Sequence, residues 1–252
     1  MADYGRRVNK FDEKGKFLSS FIISAQHWQP FIMKINSKGH IFLGGLKENF
    51  KNPGTGEWIN LYNEKGKYIK SFFKTNKYTK EWMLSIPPQC MFDIDSQDNI
   101  YAVQHNEYKI YKYNSIGKLL RTIGNAPRYF KAPNFKEKID LSKYYKNQRK
   151  LREKLTELSK SWTKLINIKI IKDNYLILVL ETNNLIKDFT KKYIIDIWDK
   201  EGNFIAGGIQ TDYKLLCKDK SDNLYFLIYT DEEEALEKEP TYIIGKYSLK
   251  IN

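Results

Sequence analysis

Three glycines, Gly15, Gly66 and Gly117, stand at successive intervals of 51 residues, and a fourth, Gly202, follows 85 residues later, one further interval of 51 plus an insertion of 34. Each lies in the same setting. The segments Arg7-Val8-Asn9-Lys10-Phe11-Asp12-Glu13-Lys14-Gly15-Lys16-Phe17-Leu18 and Trp58-Ile59-Asn60-Leu61-Tyr62-Asn63-Glu64-Lys65-Gly66-Lys67-Tyr68-Ile69 align without a gap. So do the stretches from Lys109 to Leu120 and from Ile194 to Ile205. An alternating strand meets an Asp or Asn, two residues intervene, a glycine follows, and a second short strand begins. This predicts a hairpin. The Asp or Asn side chain opens the turn, and glycine supplies the positive φ that closes it.

A second hairpin alternates with the first. Its copies run through Asn36-Ser37-Lys38-Gly39, Asp95-Ser96-Gln97-Asp98, Lys172-Asp173-Asn174 and Asp219-Lys220-Ser221-Asp222, each between short apolar runs. Two hairpins per 51-residue period amount to one four-stranded antiparallel sheet per repeat, which is the unit of a β-propeller. The 15% aromatic content, with 18 Tyr and 14 Phe, favours strands, whose half-buried flat surfaces accept such rings. The fold class predicted is all-β: a propeller of four-stranded blades, one domain over residues 1–252, with a basic helical insertion at 126–162.

The half-motifs Ile94-Asp95-Ser96-Gln97-Asp98-Asn99-Ile100-Tyr101-Ala102-Val103 and Gly5-Arg6-Arg7-Val8-Asn9-Lys10-Phe11-Asp12-Glu13-Lys14-Gly15-Lys16-Phe17 resemble the two halves of an NHL repeat. The resemblance covers nearly the whole chain outside the insertion and implies a bacterial-type six-bladed ring. It also implies a binding platform more often than an enzyme, a minority of such propellers being metal-dependent lyases or hydrolases. With the blade strands lettered a to d from the axis outward, the chain opens on c and d. It then holds three whole blades at 31–73, 91–123 and 165–209, and closes on a, b and c, the last at Tyr242–Lys250. A six-bladed ring would need roughly one and a half more blades upstream. The expectation is an open arc in which Arg7–Phe21 and Tyr242–Lys250 lie in separate partial blades, with open edges that favour oligomerisation.

Because strands alternate in direction, loops alternate in face. The a–b and c–d turns are short. The b–c and d–a connections are longer, and binding residues concentrate on such loops. The ligand-contact candidates on that face are Trp28, Trp82, His105, Arg128, Tyr129 and Trp162. The insertion carries an apolar stripe at helical spacing (Leu141, Tyr144, Tyr145, Leu151, Leu155, Leu158, Trp162) after Asp140 as N-cap. Between Ala126 and Lys160 it has 11 Lys/Arg against 4 Asp/Glu, a +7 share of the chain's formal +13. Tyrosines interleave with those cations, a composition that suits phosphate contact and base stacking, so RNA is an alternative ligand. The acidic run from Asp231 to Glu239 is on the same face and would offset part of that charge.

No catalytic constellation is legible. Three histidines are present, and His40 belongs to a turn on the face opposite His27 and His105, which breaks up a three-histidine metal site. Cys90 and Cys217 form no CxxC pair, and both read as free thiols. No metal, cofactor or catalytic residue is assigned. Met1-Ala2-Asp3-Tyr4-Gly5 leads into strand-like sequence without an apolar leader, and no apolar run is long enough to span a bilayer. The function expected is a binding scaffold for a protein, peptide or glycan, with a metal-dependent propeller hydrolase or lyase and an RNA-binding protein as the alternatives.

Overall fold

The computed structural model of the chain describes residues 7–23, 32–48, 55–76, 90–133, 147, 149, 150, 153, 157, 160–182, 191–229 and 242–248. These residues hold 17 strands. A hairpin comes first, β1 (Arg7–Phe11) and β2 (Phe17–Ile22). The first full blade is β3 (Ile32–Ile35), β4 (Ile41–Glu48), β5 (Gly56–Tyr62) and β6 (Tyr68–Lys74). The second is β7 (Cys90–Ile94), β8 (Ile100–Gln104), β9 (Glu107–Tyr113) and β10 (Leu119–Ile123). The third is β11 (Lys164–Ile171), β12 (Tyr175–Glu181), β13 (Tyr193–Asp199) and β14 (Phe204–Thr211). A three-stranded blade ends the order, β15 (Lys214–Lys218), β16 (Leu224–Tyr229) and β17 (Tyr242–Tyr247).

Every sheet is an antiparallel meander in chain order. Among the described residues the result is a β-propeller of four blades, three four-stranded and one three-stranded, with the β1–β2 hairpin against the first. β1 bonds to β2 alone and β16 to β15 and β17, so the first and last strands lie in separate sheets, as the strand lettering predicts.

The turns form for the reason their residues indicate. Asp12, Asn36, Asn63, Asp95, Asn114 and Asp219 each accept, through Oδ1, backbone N–H bonds from residues two and four positions on. This is the side-chain mimic of a turn that these residues favour. Gly66 and Gly117 have a second role besides their positive φ. A Cβ on Gly66 would stand 2.3 Å from the Phe21 ring, and one on Gly117 2.5 Å from Phe72. These two c–d turns thus receive the outer-strand aromatic of the preceding sheet, which only glycine permits.

The core is a set of layers between neighbouring sheets. Val8, Ile41, Leu43 and Tyr62 fill the first; Phe42, Trp58, Phe72, Phe92, Ile100 and Tyr113 the second. Tyr101, Val103, Ile168, Leu176, Leu178 and Trp198 fill the third; Ile177, Val179, Leu215, Leu224 and Phe226 the fourth. Successive residues of β4, β8 and β12 serve opposite layers, so both faces of these strands are buried. Each such side chain contributes roughly 1.5–3 kcal/mol. At the two ends only one face is covered. Ile22 is 70% exposed on the hairpin and Ile244 62% exposed on β17.

Polar bonds join the blades at the a–b turns. Asp98 accepts bonds from Ser37 N at 2.9 Å and Ser37 Oγ at 2.7 Å. Asp173 takes the same two bonds from Ser96, at 2.8 and 2.6 Å, and Asp222 accepts from Lys172 N at 2.8 Å. All three aspartates adopt positive φ, the conformation Gly39 takes in the first blade. Each blade is therefore latched to the one before it through the same donor position of the repeat, with the acceptor Asp173 one residue earlier in its turn than Asp98 and Asp222.

Of the insertion, Arg149, Lys150, Glu153 and Glu157 have helical backbone, and Arg149 Nε donates to Glu153 Oε1 at 2.9 Å. The residues 134–146, 148, 151, 152, 154–156, 158 and 159 lie outside those described, so the helix expected from Asp140 is seen only at Arg149, Lys150, Glu153 and Glu157. No described helix is long and apolar enough to cross a membrane.

Candidate functional site

The face expected to bind begins where b strands turn into c strands. In the second blade that link is a tight two-residue turn, His105-Asn106, shorter than the irregular loop expected there. It is tied to the first blade. Gln104 Nε2 donates to Lys74 O at 2.9 Å and Gln104 Oε1 accepts from Asn76 N at 3.2 Å. Asn76 Nδ2 donates to Asn106 Oδ1 at 2.6 Å. It is tied equally to the third blade, where Leu165 N donates to His105 O at 2.9 Å. Thr163 closes the belt, its N–H donating to Lys131 O and its Oγ1 accepting from Lys131 N.

Below this belt a cleft of about 490 Å³ opens between β6 and β9–β10. Gln104, Asn76 and Thr75 form its upper end, and Phe73, Tyr111 and Tyr113 its aromatic wall. The Phe73 ring packs on Tyr111 at 5.2 Å and on Tyr113 at 6.0 Å. Phe73 takes a φ of 66°, a costly conformation for a bulky side chain and one that recurs at binding sites. Glu57, Lys70 and Lys74 supply charge. Burial holds the Glu57 carboxyl above its usual range, with Lys47, Lys74 and Lys70 opposing that shift. Tyr111 donates to Glu107 Oε2 at 2.9 Å, which fixes its ring edge. The amides and the phenol are thus held in place before any ligand arrives.

A second polar constellation lies buried between the second and third blades. Asp196 of β13 is fully buried. Tyr108 Oη donates to its Oδ2 at 2.6 Å, while Gly208 N, at 2.9 Å, and the Tyr129 hydroxyl donate to Oδ1. Trp198 Nε1 in turn donates to Tyr108 Oη at 3.1 Å. Burial, followed by the Asp196 charge, pushes the Tyr108 phenol well above its usual range. A carboxylate with three donors is satisfied without an external partner.

The residues singled out from sequence divide accordingly. Trp28 and Trp82 lie outside the described residues. His105, Tyr129 and Trp162 come together at the junction of the second and third blades. Part of His105 is open, but Nε2 itself is buried without a hydrogen bond among the described residues. Burial, then the Lys164 charge, depresses its pKa to about 3, so the ring is neutral. Trp162 retains 5% of its surface, with the Lys164 ammonium 5.9 Å from its ring centre. Tyr129 is engaged by Asp196, and Arg128 is exposed. Asp93, Asp95 and Asp98 divide between ion pairing, a turn and a latch rather than meeting at one point. No group of three His, Cys, Asp or Glu able to hold a metal occurs among the described residues. Sequence reasoning missed the β6–β9 cleft and the Asp196 network. The signal available for the second was a lone Asp inside an apolar strand, Ile194-Ile195-Asp196-Ile197.

No protein-family model matches the sequence, and no curated protein matches it. Solved structures share the fold. A member of the DUF4221 family from Bacteroides vulgatus aligns with a TM-score of 0.55 at 11% identity, over 96% of this chain and 73% of that one. A protein of unknown function from Bacteroides caccae aligns at 0.50 and 10% identity, over 96% and 72% of the two chains. Virginiamycin B lyase from Staphylococcus aureus aligns at 0.51 and 13% identity, over 95% of this chain and 63% of the lyase, so this chain spans less than two thirds of that protein. At such identities the likeness shows the propeller fold and nothing about activity.

Proposed function

We propose that the chain is a non-catalytic binding module that takes a peptide segment of a partner protein in the cleft between β6 and β9. One observation carries this reading: the cleft pairs an aromatic wall, Phe73, Tyr111 and Tyr113, with amide and charged groups already held by hydrogen bonds. An extended backbone is read by fixed amides such as Asn76 and Gln104, and its side chains by an aromatic surface flanked by Lys70 and Lys74. Arg128, exposed in the link between the second and third blades, would extend the contact, with Tyr129, Trp162 and His105 beside it; Trp28 and Trp82 remain ligand-contact candidates from the sequence alone. Kinship with NHL repeats is part of this proposal and rests on the repeat pattern.

Peptide and glycan arrays probed with the purified chain, followed by calorimetry of any retained ligand, test the reading. Lys74→Glu and Gln104→Ala are expected to weaken a retained peptide by about tenfold or more, the size of one or two lost hydrogen bonds. A retained peptide whose affinity neither change alters would remove the cleft from consideration, and a retained glycan would replace the ligand class. The lyase or hydrolase alternative predicts stoichiometric metal on elemental analysis. The RNA alternative predicts affinity that falls steeply with salt.

A further inference from the structure

The latch bonds set the blades in register at the axis. Ser37, Ser96 and Lys172 are the equivalent donors of successive a–b turns, and Lys220 holds that place in the last turn. Three residues before each lies the last stretch of the innermost strand, and the residues there are Lys34, Asp93, Lys169 and Cys217. The first two form a pair across blades. Lys34 Nζ is 2.6 Å from Asp93 Oδ1, and Asp93 Oδ2 accepts Ile170 N at 3.0 Å. Lys169 stands to Cys217 as Lys34 stands to Asp93, but the facing position has a thiol instead of a carboxylate.

Lys169 is consequently a cation without an anion of its own. It is 8% exposed, and among the described residues it makes neither a hydrogen bond nor an ion pair. In strand register it pairs with Ile177 as Lys34 pairs with Phe42, Asp93 with Tyr101 and Cys217 with Tyr225, so the four residues hold one position on the four innermost strands, and its charge is within electrostatic range of Lys34, Asp93, Cys217 and Lys218. Asp93 is already occupied by Lys34 and Ile170 N. Lys218 is matched by Asp222 at 2.5 Å. One positive charge is left over at the axis. Burial, then the Lys34 charge, holds the Lys169 ammonium below the usual lysine range, with Asp93 and Cys217 opposing the shift. Cys217 is exposed.

We propose that this place is an anion site of the carboxylate class, with Lys169 Nζ as the ion-pair donor, Lys34 and Lys218 as the flanking positive field, and the anion seated over Cys217. The site supplies from outside what Asp93 supplies to Lys34 within the fold. It is distinct from the cleft between β6 and β9, and neither depends on the other. The carboxylate belongs either to a free small acid or to a carboxyl group of a bound peptide. The experiment separates the two by comparing glutarate with a peptide of uncharged side chains and a free C-terminus, against the same peptide amidated.

Two readouts on the full chain test the proposal. In thermal unfolding at constant ionic strength, a saturating carboxylate probe is expected to raise Tm by about 3 °C or more, the mass-action effect of a ligand bound only to the folded state. Cys217→Asp supplies the missing carboxylate in place, so it is expected to raise Tm without added acid and to abolish the response to glutarate. Cys217→Ser is expected to keep the response. Cys90 is buried, which leaves Cys217 as the accessible thiol. Its alkylation by neutral iodoacetamide is expected to slow several-fold under the same probe. This second readout needs no variant, so it holds even if Cys217→Asp fails to fold. A response to the C-terminal acid and not to its amide assigns the site to peptides; a response to glutarate alone assigns it to small acids. Tm and alkylation rate indifferent to every probe, or a response that survives in Cys217→Asp, would overturn the proposal.

Discussion

Replacing Asp98 tests whether the a–b turns hold the blades together. The carboxylate accepts two bonds from Ser37, at 2.9 and 2.7 Å, from the neighbouring blade. A hydrogen bond to a charged group contributes about 1.5–3 kcal/mol. Ser37 is exposed while Asp98 is largely buried, so water screens the pair only in part and the lower half of that range applies. Asp98→Asn keeps a side chain that tolerates the local φ of 64° and keeps one carbonyl acceptor. It loses the charge and one bond, an expected cost of about 1–2 kcal/mol. Asp98→Ala loses both bonds and places alanine in the left-handed region, adding about 1–2 kcal/mol. Thermal unfolding followed by circular dichroism should show Tm lower by roughly 3–6 °C for the Asn variant, and by more for Ala.

The pH dependence has a definite sign. Burial acts to raise the Asp98 carboxyl, but the Ser37 bonds and the nearby Lys38 and His40 outweigh it, and the net shift is downward. Its contribution is therefore full above the unfolded value of about 4 and is lost as pH falls through the lower folded value. The gap between wild type and Asp98→Asn should close under acid. Equal stability of wild type and Asp98→Ala at neutral pH, or a gap that widens on acidification, would refute the latch.

Gly66→Ala and Gly117→Ala should each destabilise the fold by about 2–4 kcal/mol in urea titrations, combining a left-handed alanine with a clash against Phe21 or Phe72. Gly15→Ala, whose added methyl would meet nothing within 4 Å, should cost only about 1–2 kcal/mol. Tyr108→Phe removes a donor to buried Asp196 and the acceptor of Trp198 Nε1, and should cost about 2–4 kcal/mol by the same titration. His105, with its pKa depressed to about 3, favours folding most above the unfolded value of about 6.5, and this is lost progressively as pH falls toward 3. His105→Phe should accordingly flatten the decline in urea midpoint between pH 7 and pH 5, a span on the order of 1–2 kcal/mol for the wild type.

The repeat was legible because its determinants are local. An Asx side chain bonds two and four residues on, and a glycine at positive φ closes the hairpin, whatever the rest of the chain does. Asp12, Asn63 and Asn114 act in the structure as their spacing indicates. The strand lettering followed from the same spacing, and with it the separation of β1–β2 from β15–β17. The site was much less legible. His105 and Trp162 read as loop residues open to a ligand, yet they sit where adjacent blades press together, and burial of a loop residue depends on a neighbour distant in sequence. Asp98 read as a turn residue, and it also bonds a serine 61 positions away. The residue types and intervals of the chain determined blades, turns and their order, since these rest on contacts within a few residues. Only the tertiary structure decided which carboxylates find donors across a blade boundary, which cleft stays open between β6 and β9, and that Lys34 is paired with Asp93 of the next blade, because those outcomes are set by side chains that the propeller brings together from repeats some 50 residues apart.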